Sequence, residues 1–178
     1  MRHALGVPLL LTVPNAASAP VFLDRLGWRR LPSLRVWARL RLRRSRPRHA
    51  RVVERFGDEP AVSGGGDRVL RDGAWLNWRF ADSPRHYTLL EGGGYAATGR
   101  RGRVGVVACA EGALLGDVSA VADGRLLVAA PPPWRRGAYV RAGFLPTRRN
   151  LTLLGKALAP GRDVPALPHF ELGDLDFL

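Results

Sequence analysis

Residues Val7 to Leu42 constrain the fold of this chain more than any other stretch. Val7–Val13 is apolar, too short for a buried helix and rich in Val and Leu, as a buried strand requires. Pro14 cannot donate to a ladder, and Asn15 is a favoured N-cap, so the strand ends there and a helix begins. Ala17, Val21, Phe22 and Leu26 then recur at helical spacing, with Pro20 tolerable only near the helix start and Gly27 at the position that commonly closes one. From Trp28 to Leu42 the chain alternates: Leu34, Val36, Ala38, Leu40 and Leu42 fall on one side, Arg35, Trp37, Arg39 and Arg41 on the other. This predicts a half-buried strand. The unit reads as strand, capped helix, strand.

The remaining chain supplies a second such unit behind a meander. Arg43–Arg51 is densely basic and Gly57–Gly66 is rich in Gly and polar residues, so 43–70 reads as a linker, with one helical turn at Val52–Phe56. Arg71–Phe80 reads as a helix capped by Asp72, with Trp75 and Trp78 as core anchors. Asn77 and Arg79 on it are candidate substrate contacts or satisfied structural partners. His86–Leu90, Tyr95–Arg100 and Arg103–Ala110 form three strands joined by Gly-containing turns. A short helix at Ala113–Ala122, a strand at Arg125–Ala130, a proline-opened helix at Trp134–Ala142 and a strand at Leu151–Leu158 follow, with a last apolar-acidic segment at Phe170–Leu178. Strand, proline, helix, Gly-aromatic, strand thus occurs twice, ending at Gly27-Trp28 and at Gly143-Phe144. The repeat predicts a 1–42 remnant of a first unit, the 43–70 linker and a 71–178 second unit.

The motif of a strand, Pro14-Asn15 at the helix start, Leu26-Gly27-Trp28 and a further strand resembles the closing segment of a GNAT-superfamily N-acetyltransferase domain. The Leu76-Asn77-Trp78-Arg79 helix and the closing Glu171-Leu172-Gly173-Asp174 resemble two-unit members of that superfamily associated with bacterial cell-surface polysaccharide synthesis. The resemblance implies an α/β (α+β) fold, a GNAT-like mixed sheet flanked by helices with the first unit truncated. It further implies acetyl-CoA as co-substrate and a small-molecule or sugar-amine acceptor. Aligning the two glycines puts Tyr139 where the first copy has Leu23, which makes Tyr139 the candidate general acid and Asn15 a candidate cofactor contact. The competing readings are a buried helix aromatic for Tyr139 and a plain N-cap for Asn15. Glu91, Glu111 and Asp117 are possible bases, none singled out by spacing.

One departure bears on activity. The family's phosphate loop follows a strand and opens a helix, whereas Arg100–Gly105 has its first glycine one place early and leads into a strand. Acyl transfer needs backbone N–H groups for a pyrophosphate, a base for the amine and an acid for the thiolate. The expectation is an acetyltransferase-like chain with an incomplete cofactor site, inactive alone.

Composition supports a second class of function. The 178 residues carry 28 Lys and Arg against 15 Asp and Glu, a formal charge of +13, and Lys156 is the single lysine. Such a charge suits a non-catalytic basic module that binds nucleic acid or an acidic polymer. One cysteine, Cys109, excludes an internal disulfide, and four scattered histidines give no metal spacing, so no metal is expected. No apolar run reaches bilayer-spanning length. Met1–Ala19 imitates a secretory signal, but Pro8 interrupts its apolar part and cleavage would split the first strand–helix unit, so a cytoplasmic location is expected. An exposed strand edge predicts a homodimer.

Overall fold

The computed structural model describes residues 9–41, 47–58, 71–112, 114–158 and 171–174. One mixed sheet of eight strands organises them, with few and short helices, so the architecture is α+β. In chain order the elements are β1 (Leu9–Thr12), α1 (Val21–Arg25), β2 (Arg29–Leu40), β3 (Arg51–Val53) and α2 (Gly73–Leu76), which widens into a turn at Asn77–Ala81. They continue with β4 (Tyr87–Glu91), β5 (Tyr95–Arg101), β6 (Val104–Ala110), α3 (Leu115–Val121) and β7 (Leu126–Ala129). A single helical turn at Pro133–Arg135 opens α4 (Arg136–Arg141), followed by β8 (Leu145–Ala157) and a one-turn helix at Leu172–Asp174.

The strand order is β1-β8-β2-β7-β6-β5-β4-β3. The two copies of the repeat have therefore exchanged strands. The second strand of the first copy, β2, pairs with the first strand of the second copy, β7, while β8 pairs with β1, and the two long strands β2 and β8 meet in the middle. The registers obey the same exchange. Placing Gly27 on Gly143 carries the pair Leu10↔Lys156 onto Leu126↔Leu40, and Leu11↔Gly155 onto Leu127↔Arg39, all of which are observed. A local two-fold relation thus runs between β2 and β8.

Helix ends follow the same relation. Gly27 (φ +65°) and Gly143 (φ +81°) both take the left-handed conformation after a helix, where a Cβ would be strained. The carbonyl just before each is bound by a cation from the other copy's long strand: Lys156 Nζ donates to Leu26 O at 2.7 Å, and Arg39 donates to Ala142 O at 2.6 Å. Cations at helix C-termini are favoured by the orphan carbonyls and the helix dipole.

Two side-chain layers cover the sheet. Trp37, Val107, Leu127, Tyr139, Phe144 and Val118 share one core cluster with α3 and α4, while Phe80, Leu76, Tyr95 and Ala108 form another with α2. A smaller third cluster joins Val36, Val106, Ala130, Leu151 and Leu172.

Several expectations are corrected here. β2 does not alternate as read: its register against β8 shifts between Leu31 and Leu34 and again between Arg35 and Trp37, so that the neighbours Val36 and Trp37 are both buried. Because it lies between β7 and β8, its arginine side is the side roofed by α3 and α4. There Trp37 is buried, Arg39 donates to Ser119 Oγ, and Arg41 binds the carbonyl of Ala122 at the end of α3. Leu40, expected inside, is 70% exposed. Part of the stretch read as a linker is a strand: Arg51–Val53 pairs with β4, whose edge it covers, in place of the helical turn expected at Val52–Phe56. Trp78 is not a core anchor but 65% exposed, because the turn at Asn77–Ala81 closes five residues apart (Asp82 N to Asn77 O) and rotates it outward. Trp75 is half-buried against Phe80, with ring centroids 6.1 Å apart.

The meander, both short helices of the second unit and the strand at Leu126–Ala129 fall where the sequence places them. β8 starts six residues before the expected Leu151, at Leu145, because β2 is present to pair with it. Residues 175–178 of the closing segment lie outside the described residues.

Candidate functional site

The sheet contains one parallel pair among its antiparallel ones, β6 beside β7. Its register comprises Val104↔Leu126, Gly105↔Leu127 and Val106↔Val128, and then stops although β6 runs on to Ala110. Against β5, Thr98 faces Val107 while Ala97 faces Cys109, so Ala108 is an extra residue, and a bulge of this kind bends its strand. The ladder ends at Val106↔Val128, one residue before β7 itself ends at Ala129, so β6 runs on past its parallel partner. Crevices at the carboxyl ends of parallel strands are where open α/β sheets hold ligands.

Here the chain itself fills the crevice. The turn Glu171–Gly173 enters it with Leu172 against Val36, Val106, Ala130 and Leu151. Gly173 sits so close that a Cβ would lie 2.8 Å from the Phe80 ring and 2.9 Å from Ala108 O. Arg79 Nε donates to Gly173 O at 2.8 Å. The Glu171 carboxylate is buried, and its donors include Arg71 at 2.6 Å, the Ala110 N–H at 3.3 Å and the Tyr139 hydroxyl at 3.3 Å. At the mouth of the gap Arg135, from the turn after β7, binds the carbonyls of Ala110 and Gly112 and lies 3.5 Å from Glu111.

The electrostatics follow from burial. Desolvation raises the Tyr139 pKa well above the ordinary tyrosine value, and the neighbouring Glu171 charge adds to it, so the hydroxyl stays protonated and donates. Burial, with Cys109 as a smaller contributor, likewise raises Tyr95, which lies against Arg71. Arg71 and Glu171 form an ion pair with side chains 4% and 2% exposed, an arrangement that tolerates desolvation only because further hydrogen bonds complete it.

Of the residues singled out in the sequence, the structure brings Tyr139 and Arg79 to this crevice and leaves Asn15 and Asn77 elsewhere. Asn15 is exposed, and its Oδ1 accepts the Ser18 N–H at 2.8 Å, the geometry of a cap. Asn77 accepts from Phe56 N at 2.7 Å and donates to Phe56 O at 2.9 Å, so it holds a backbone segment. The possible bases are each engaged: Glu91 with Arg51 and Gly57 N, Glu111 beside Arg135, and Asp117 with the N–H groups of Arg48 and His49 at 2.8 Å each. Sequence reasoning missed Arg71, Arg135 and Glu171. The signal for Glu171 was its place in an acidic-apolar end segment, but its partner Arg71 lies 100 residues away.

In this arrangement Leu172 and Gly173 take the depth of the crevice and Glu171 engages its donors. A separate surface cavity of about 460 Å³ lies between Val53, Phe80, Pro84 and Tyr87, away from Tyr139. Among the described residues no group of three His, Cys, Asp or Glu is placed to hold a metal ion, and no helix is long and apolar enough to cross a membrane. No protein-family model, curated protein or solved structure matches this chain.

Proposed function

We propose that this chain is an N-acyltransferase-like protein of the GNAT type that does not turn over acetyl-CoA while its own C-terminal turn fills the crevice. One observation carries the reading: a parallel strand pair ends beside a bulge in its first strand, and the helix after its second strand brings Tyr139, kept protonated by burial, to the end of that first strand. A protonated hydroxyl at that place can give a proton to a departing group. The repeat with Pro14-Asn15 and Leu26-Gly27-Trp28 supports the same family, and the absence of the phosphate loop in the sequence supports silence of the chain on its own. If the protein acts with an acyl donor, its acceptor is a small molecule or sugar amine. A thermal-shift titration with acetyl-CoA, with ADP and heparin as controls for plain anion binding, tests this. Silence predicts no shift for the intact chain beyond that produced by ADP, and turnover of acetyl-CoA by the chain alone would refute it.

A second reading, a basic module for nucleic acid or an acidic polymer, is favoured by one feature. Arg30, Arg35, Arg148 and Arg149 are all exposed on the central strands β2 and β8. Binding to a heparin or oligonucleotide probe that weakens steeply with salt would support it, and salt-independent or absent binding would count against it.

A further inference from the structure

We infer that the bulge of β8 opposite Val36 is a docking point for the phosphate backbone of a nucleic-acid duplex, held by Arg35, Arg148 and Arg149. The inference rests on the second reading above and adds to it the place and the partner.

The bulge is built into the middle of the sheet. Between the pairs Arg35↔Asn150 and Trp37↔Pro146, β2 has Val36 alone while β8 has Thr147, Arg148 and Arg149. Bulges re-aim side chains, and this one is fastened to both strands. Thr147 Oγ1 donates to Val36 O at 2.7 Å and accepts the Arg149 N–H at 3.1 Å, while Arg35 Nε donates to Thr147 O at 3.1 Å. Val36 itself is buried in one core cluster with Leu151. Arg35, Arg148 and Arg149 therefore leave one fixed piece of backbone, and all of them are exposed. Arg35 commits only its Nε to the bulge. Among the described residues no carboxylate pairs with any of these arginines.

Charge density selects the partner. At about 3.3 Å per residue the bulged residues span roughly 10 Å, and a duplex carries one phosphate charge per about 1.7 Å of its axis, so several phosphates pass within reach. A polysaccharide with one carboxylate per sugar offers fewer. The planar guanidinium fork also takes phosphate oxygens in pairs. A single strand is the poorer match, because proteins that hold one stack its bases on exposed rings. Thr147–Asn150 contains no ring, and Trp37, the one ring of β2, is buried.

The test is fluorescence anisotropy of short labelled DNA and RNA duplexes titrated with the full chain over a range of salt. Arg148→Gln/Arg149→Gln is compared with Arg100→Gln/Arg103→Gln, which removes the same charge from exposed positions beside the β5–β6 turn. The bulge variant is expected to lower the slope of log K against log salt by about 2 and to weaken binding roughly tenfold or more, with the slope of the other variant unchanged. Binding of either duplex with this pattern supports the inference, and the tighter of them names the nucleic acid. Equal losses in both variants overturn the inference and leave the basic-module reading standing, whereas no salt-dependent binding by the unsubstituted chain overturns both. Equal or tighter binding of polygalacturonate, or of the single strand, overturns the choice of partner. If the double variant does not fold, Arg148→Gln and Arg149→Gln are compared singly, each expected to lower the slope by about 1, and an unchanged slope in both overturns the inference.

Discussion

The Tyr139 hydroxyl donates to Glu171 Oε1 at 3.3 Å from a position 1% exposed, so the residue best placed to act as an acid spends its proton on the chain's own carboxylate. Its pKa is raised by burial first and by the Glu171 charge second.

Tyr139→Phe is expected to destabilise the protein by about 1.5–3 kcal/mol, the worth of a hydrogen bond to a charged group. It also changes the alkaline limb. The native hydroxyl holds its proton above the ordinary tyrosine pKa of about 10, so its contribution is complete below that pH and is lost as pH rises through the folded value. Urea unfolding measured across the alkaline range should show stability falling with pH, and less steeply in Tyr139→Phe, with Tyr95 supplying the residual slope.

Asn77→Ala removes both partners of the Phe56 backbone, whose N–H and carbonyl bind Asn77 at 2.7 and 2.9 Å. Leaving them unpaired beside the buried Phe56 ring costs about 2 kcal/mol. Amide exchange at Phe56 and Gly57 should accelerate more than at β5, whereas equal acceleration throughout would show that the clasp is not local.

Gly173→Ala places a methyl 2.8 Å from the Phe80 ring and 2.9 Å from Ala108 O. Neither neighbour yields freely, so the expected cost is about 1–3 kcal/mol. The turn should loosen from the crevice first, seen as faster exchange of the Ala110 amide, which Glu171 otherwise holds.

Glu91 ties β3 to the sheet through Arg51 at 2.8 Å and the Gly57 N–H at 3.0 Å. The Gly57 N–H first, and Arg51 second, lower its pKa below the ordinary 4.5. A depressed carboxylate contributes stability above its unfolded pKa and loses it as pH falls through the folded value. Protection of the Val52 amide should therefore decline on acidification below that range, and Glu91→Gln should make it insensitive to pH.

Local chemistry was legible in the sequence, and pairing across the chain was not. Asn15 and Asp72 cap the turns they were read to cap, with Asp72 Oδ1 accepting Trp75 N at 2.7 Å, because a cap depends on residues three apart. The meander was legible because its turns carry glycines such as Gly93 (φ +58°) and Gly102 (φ +60°). The side of β2 that is covered was not, since Arg39 and Arg41 look like solvent residues until α3 and α4 are known to end above them. Likewise the repeat could be read, but not that its strands are exchanged. Of the site, the alignment of glycines found Tyr139, whereas Arg71 and Glu171 meet only in the folded chain.

The exchanged strands also set how the protein must assemble. Arg35 on β2 bonds the Thr147 carbonyl 112 residues later, so the sheet's middle can close only after β8 has been made. During synthesis the first copy has to wait as an unpaired strand–helix–strand segment until β7 and β8 emerge. Closing so long a loop adds little to the equilibrium cost, which grows with the logarithm of length, but it slows the search. Until β8 has been made, β2 lacks that partner, and a second ribosome's β8 is a ready wrong one for it.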